Sequence, residues 1–118
     1  VDLKIKIWLA GDNGTGFLGD GRYRLLRQID QQGSLQKAAD NLGISYRKAW
    51  GDVRAVERKL GFELVHRQRG GSKGGTSQIT PNGRKLLDAF GSIKTEVETT
   101  AKKQFNQHLK KLLKQITL

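Results

Sequence analysis

Apolar positions along this chain change their spacing repeatedly, and each change marks an element. Leu3, Ile5, Ile7 and Leu9 alternate with Asp2, Lys4, Lys6 and Trp8, a period of two that predicts a half-buried strand. Gly11-Asp12-Asn13-Gly14-Thr15-Gly16 interrupts it as a turn, and Phe17-Leu18 pairs back as a second short strand. From Asp20, a candidate N-cap, the residues Tyr23, Leu25, Leu26 and Ile29 take helical spacing as far as Gly33. Ser34 caps the next helix, with Leu35, Ala38, Ala39 and Leu42 facing inward. The small alanines suit two helices that approach closely. After the break Gly43-Ile44-Ser45, a third helix carries Ala49, Val53, Val56 and Leu60 on its inner face and ends at Gly61.

Phe62, Leu64 and His66 then alternate as a strand, residues 67–76 form a glycine-rich basic loop, and Ser77 to Thr80 return as a second strand. A hairpin directly after a helix-turn-helix is a wing. Thr80-Pro81 opens a further helix, with Thr80 as N-cap and Pro81 in the first position. Leu86, Phe90, Ile93, Val97, Ala101, Phe105, Leu109, Leu112 and Ile116 follow at steps of three or four. About 30 residues at about 1.5 Å each make a stripe of about 45 Å, longer than a body of this size can cover. The remainder requires a partner, most simply the same helix of a second copy. Dimerisation is therefore assigned to Leu86, Phe90, Ile93, Val97, Phe105, Leu109 and Leu112. The competing reading is a tail that folds back or frays. The fold predicted is mainly α (α+β): a winged helix-turn-helix with an N-terminal strand and a long C-terminal dimerisation helix. Residues 1–80 make the winged helix-turn-helix domain, with the helix-turn-helix at about 34–60 and the wing at about 62–80, and residues 81–118 make the long helix.

Charge sharpens this picture. The formal net charge is +11, and it is uneven. Residues 44–75 hold eight Lys or Arg against three Asp or Glu, and residues 99–118 hold five Lys and no acid. A basic stretch coinciding with a helix-turn-helix is the electrostatic footprint expected for phosphate. The second helix of such a motif enters the major groove by its N-terminal end. Here that end is Ser45, Tyr46, Arg47 and Lys48, followed on the outer face by Trp50, Gly51 and Arg54. Arginine can bond a guanine edge through two donors, and Tyr or Trp can stack on sugar or touch a thymine methyl. Ser45 with the helix N-terminus can hold a phosphate. Gly51 leaves the backbone bare there, and Trp50 has a rival reading as a core aromatic. Wing residues Arg67, Arg69 and Lys73 are placed to reach phosphates or the minor groove. Arg58 and Lys59 lie too far along the helix for base contact. The lysines of the C-terminal tail read first as the outer face of a helix.

Other chemistries are not supported. Gly14-Thr15-Gly16-Phe17-Leu18-Gly19 matches a dinucleotide fingerprint, but no helix opens within it and no parallel strand follows. Gly70-Gly71-Ser72-Lys73-Gly74-Gly75 lacks the Gly-Lys-Ser/Thr ending of a P-loop. His66 and His108 stand alone, so no metal or cofactor is expected. No nucleophile, base and orienting group can be assembled, so no enzyme is expected. No apolar run approaches the length of a membrane span. The lack of cysteine fits a cytoplasmic location.

The segments Gly19-Asp20-Gly21-Arg22, Leu25-Leu26, Gly33-Ser34, Ala38-Ala39, Ile44-Ser45-Tyr46-Arg47-Lys48-Ala49-Trp50, Leu64-Val65, Gly70-Gly71 with Gly74-Gly75, and Ile79-Thr80-Pro81-Asn82-Gly83 together resemble a known family. It is the N-terminal DNA-binding domain of the molybdate-responsive regulators (ModE type), related to the LysR-type winged helix. The resemblance covers roughly residues 3–90. It implies a homodimeric transcriptional regulator that binds double-stranded DNA. The third helix would lie in the major groove, the wing on the flank, and the first strand and last helix at the dimer contact. Ser34, Ser45, Tyr46, Arg47 and Lys48 carry over as DNA contacts. Full-length members of that family add C-terminal oxyanion-binding domains, and residues 1–118 contain no segment patterned as their small β-barrel. Molybdate or tungstate binding by this chain is therefore not expected. The function predicted is sequence-specific transcriptional regulation. The rivals are a non-specific architectural DNA-binding protein and a protein-protein adaptor.

Overall fold

The computed structural model describes residues 1–68 and 76–116. A short hairpin, β1 (Leu9–Ala10) and β2 (Gly16–Leu18), leads into three helices, α1 (Asp20–Gln32), α2 (Leu35–Leu42) and α3 (Tyr46–Leu60). A second antiparallel hairpin, β3 (Val65–Gln68) with β4 (Thr76–Ile79), follows and leads into α4 (Pro81–Gln104). The long helix continues through a π-helical stretch, Phe105–Lys110, into α5 (Lys111–Ile116). This is a winged helix-turn-helix with a long C-terminal helix.

Local chemistry sets the helix limits. The Ser34 hydroxyl accepts from the Lys37 amide at 3.2 Å and the Ser45 hydroxyl from the Lys48 amide at 3.0 Å. Each satisfies one of the amides that a helix start leaves unpaired. Between them, Gly43 has φ 69°, which a residue with a Cβ adopts only at a cost. Its amide bonds to Asp40 carbonyl, and that of Ile44 to Ala39 carbonyl, so the chain leaves α2 in one Schellman turn and enters α3. Thr80 caps α4, accepting from the Gly83 amide at 2.9 Å and donating to the Glu63 carbonyl at 2.6 Å. Gly83 is required by contact: a Cβ there would lie 2.6 Å from the Leu64 carbonyl oxygen.

One core holds these elements together. Leu18, Leu25, Leu26, Ile29, Leu35, Ala38, Ala39, Ala49, Val53, Val56, Leu64, Val65, Leu87 and Phe90 form a single buried cluster. Each fully buried Leu or Val contributes about 1.5–3 kcal/mol relative to exposure. The alanines at the α2–α3 contact are completely buried, which is the close approach their size allows. Serine 77 of β4 donates its amide to the Gly33 carbonyl at 3.0 Å, so the wing is tied to the turn that opens the helix-turn-helix.

Three local expectations are corrected. The N-terminal alternation does not make a long strand: only Leu9 and Ala10 pair, with Leu18 and Gly16. The chain before them finds no second strand and instead lies along the outer half of α4. Asp2 to Ile5 face Glu98, Ala101, Lys102 and Phe105, and Ile5 and Ile7 face Lys94 and Glu98. Asp20 is the first residue of α1, not its cap. Gly19 holds the cap position without a side-chain bond, and the Asp20 carboxylate lies 3.7 Å from Lys94 instead. The wing strand starts at Val65, not at Phe62. The Glu57 carboxylate of α3 accepts from the amides of Leu64 and Val65, at 2.8 and 3.3 Å. Those bonds bend the chain before the strand and bury both side chains rather than alternate ones.

Candidate nucleic-acid interface

With Ala49, Val53 and Val56 buried, the opposite side of α3 is exposed. Ser45, Arg47, Lys48, Gly51 and Arg54 are exposed there, and Tyr46 and Trp50 are half-buried. Arg47 has no ion-pair or hydrogen-bond partner among the described residues, so its five donors are free for a ligand. Lys48 reaches Asp52 at 3.3 Å, and Asp52 also accepts from Arg22 Nε at 3.2 Å. Arg22 in turn donates to the Phe17 carbonyl at 2.8 Å. Lys48 is 62% exposed, so a phosphate can draw it away from Asp52 at small cost, since exposed pairs of this kind contribute under about 1 kcal/mol.

Two elements meet at the aromatic residues. Arg54 lies over the Trp50 ring at 5.1 Å, and Arg67 of β3 lies over Tyr46 at 5.5 Å and over Trp50 at 5.6 Å. Such stacking holds a guanidinium in place while leaving its edge able to donate hydrogen bonds. Trp50 is partly a core aromatic. It packs against the core cluster, and its ring also carries the two arginines. The structure brings Tyr46, Trp50, Arg54 and Arg67 into one basic ledge joining α3 to the base of the wing.

The remaining candidates divide. Ser34 and Ser45 use an oxygen lone pair for capping, which leaves each O–H proton for an outside acceptor. Arg69 and Lys73 lie outside the described residues. On the long helix, Ile93 is 53% exposed, Val97 38%, Leu109 41% and Leu112 46%. Phe90 instead packs on Tyr23, ring centres 5.1 Å apart, within the body's own core. Leu86 is half-buried against that core. Phe105 is buried beside the N-terminal segment. The sequence reading missed Arg22, Asp52 and Glu57, which position α3 and the wing. Their partners are 30 and 7 residues away, and nothing in the spacing signals such pairings. Among the described residues no group of His, Asp or Glu side chains is arranged to hold a metal, and no helix is long and apolar enough to cross a membrane.

The sequence profile described as bacterial regulatory helix-turn-helix protein, lysR family, matches residues 21–84. The chain is 39% identical over 80 residues to the molybdenum-pterin-binding protein MopB of Rhodobacter capsulatus, covering 68% of this chain and 30% of that protein. It is 33% identical over 82 residues to the transcriptional regulator ModE of Haemophilus influenzae, covering 70% and 32%. The chain thus spans about a third of the length of the curated relatives it matches. Among solved structures it is similar to the CbnR DBD–DNA complex, with TM-score 0.60 and 18% identity over 74% of this chain and 94% of that one. The BenM DBD/catB site 1 DNA complex gives TM-score 0.55 and 21% identity over 73% and 90%. These two likenesses concern the fold.

Proposed function

We propose that this chain, which belongs to the bacterial regulatory helix-turn-helix family of the LysR type and is related to ModE regulators, is a sequence-specific DNA-binding regulator of transcription working as a homodimer. Residues 1–80 bind DNA and residues 81–118 join the two copies. The protein works in the cytoplasm, and it needs no cofactor and catalyses no reaction. Oxyanion sensing is not assigned to residues 1–118.

The observation that carries this reading is the outer face of α3. It is exposed, basic and free of acidic partners at Arg47, and the Arg67 stack extends it into the wing. Arg47 reads a base edge. Lys48, Arg54 and Arg67, with Arg69 and Lys73 farther along the wing, hold phosphates, and Ser34 and Ser45 donate to them. Tyr46 and Trp50 position the arginines. A pair of recognition helices about 34 Å apart then matches a near-palindromic site. Support also comes from the similar domains of CbnR and BenM, which were crystallised with DNA.

Selection from a pool of randomised duplexes tests the proposal. Convergence on a two-fold motif is expected. If about eight phosphates are engaged, log affinity for that motif should fall against log salt with a slope of about −7. Binding with no motif at all would favour the architectural alternative, in which the +11 charge coats DNA without preferred sites.

A further inference from the structure

The proposed DNA contact leaves Gly51 unexplained as a structural residue. It lies in the sixth position of the 15-residue helix α3, where glycine is among the poorest helix formers. It has no positive φ to satisfy, and a Cβ added there meets nothing within 4 Å. Two other glycines inside helices behave differently. Gly83 is pressed by the Leu64 carbonyl and Gly91 by the Tyr23 hydroxyl, at 2.6 and 2.5 Å from an added Cβ. Gly21, which also meets nothing, stands in the opening turn of α1, where helix propensity matters less.

Position on the helix completes the case. At about 100° per residue, Gly51 projects about 170° from the centre of the buried face formed by Ala49, Val53, Val56 and Leu60. With Arg58, two turns farther on, it marks the outermost line of the recognition helix. Arg47 and Arg54 stand one turn before and one turn after it on the same side. Arg54 leans onto Trp50, which leaves the backbone at Gly51 bare between two guanidinium-bearing flanks. Among the described residues nothing selects for a missing side chain here.

We infer that Gly51 is the close-approach point of α3, where the helix backbone lies against base-pair edges on the floor of the major groove, and that it determines specificity by excluding any side chain from that gap. The inference rests on the DNA-binding reading above and adds a named contact to it. A substituent at this position pushes the helix out of the groove and lengthens the bonds that Arg47 makes to base edges. Phosphate contacts, which tolerate displacement better, survive.

The test uses the full chain, a duplex recovered by it from a randomised pool, and an unrelated duplex of equal length. Gly51→Ala should raise the melting temperature by about 3–6 °C, because alanine favours the helix. The same variant should bind the selected duplex at least tenfold more weakly and the unrelated duplex nearly unchanged. Gly51→Leu should lose more on the selected duplex. A stabilised Gly51→Ala protein that keeps full affinity for the selected duplex would overturn the inference and leave the DNA-binding reading standing. Failure of the unaltered chain to bind either duplex would overturn both.

Discussion

The two longest helices treat their apolar stripes in opposite ways. In α3, Ala49, Val53 and Val56 are at most 1% exposed. Every apolar demand of that helix is met within the chain, and its outer face is left to charge. In the long helix that begins as α4, the core of the body meets the stripe only as far as Phe90, and farther out Phe105 is buried beside the N-terminal segment. Beyond Phe90, Ile93, Val97, Leu109 and Leu112 are between 38% and 53% exposed. The first helix is finished by its own body. The second continues the same periodicity past the edge of that body, into a molecule 65 Å long and 32 by 22 Å across. An apolar stripe without a body beneath it is what a partner helix would cover.

The same chemical insult should separate the two regions. Val53→Asp places a carboxylate with no partner in the core, at a cost above about 4 kcal/mol. Against a typical total of about 5–15 kcal/mol that is enough to unfold the domain or leave it marginal. Thermal melting followed by circular dichroism should show no cooperative transition at 25 °C and above. In the paired variant Ile93→Asp with Val97→Asp, the winged-helix body should still melt cooperatively. Its dimer dissociation constant should rise about 100-fold or more, equivalent to about 3 kcal/mol. Light scattering across a concentration series reads this. Melting at one concentration with no change in assembly would remove those residues from the interface.

The contrast also explains what was legible in the sequence. Helices α2 and α3 were readable because each is coded locally, by a cap, a period and a stop, α1 by its period and the Gly33 stop, and α4 by its cap and period. Ser45 with Ala49, Val53, Val56 and Gly61 is enough to place α3. The N-terminal strand failed because a strand needs a partner, and period two says nothing of whether one exists. Only Leu9 and Ala10 found one. The start of β3 was misplaced because a carboxylate on another element, Glu57, decides it. On the candidate interface the exposed face of α3 was legible, since it is the complement of the core stripe. The Arg67 stack on Tyr46 and Trp50 was not, because it joins residues 21 and 17 positions apart.

Within the outer face of α3, free and tethered cations should also differ. Arg47→Ala removes a cation that has no ion-pair or hydrogen-bond partner among the described residues. Its expected cost is about 1–3 kcal/mol on the preferred duplex, with relaxed choice at one base position. Competition binding against a panel of single-base variants measures both. An equal loss on every duplex would instead make Arg47 a phosphate contact.

The smallest effect belongs to the ledge that joins α3 to the wing, and it is the most diagnostic of how the two act together. Trp50→Phe keeps an aromatic face and the packing beneath it. It loses no internal hydrogen bond, because the indole N–H is enclosed and finds no acceptor among the described residues. What weakens is the hold on Arg54 and Arg67, since a phenyl ring attracts a guanidinium less strongly than an indole. Stability should therefore change little. Binding should weaken by about 0.5–1 kcal/mol, and the salt slope should become shallower by about 1 as one phosphate contact loosens. Arg67→Ala in the same background should then cost less than it does alone, because the two residues act through one contact. Fully additive losses would mean that the stack is a feature of the free protein only, and that helix and wing engage DNA independently.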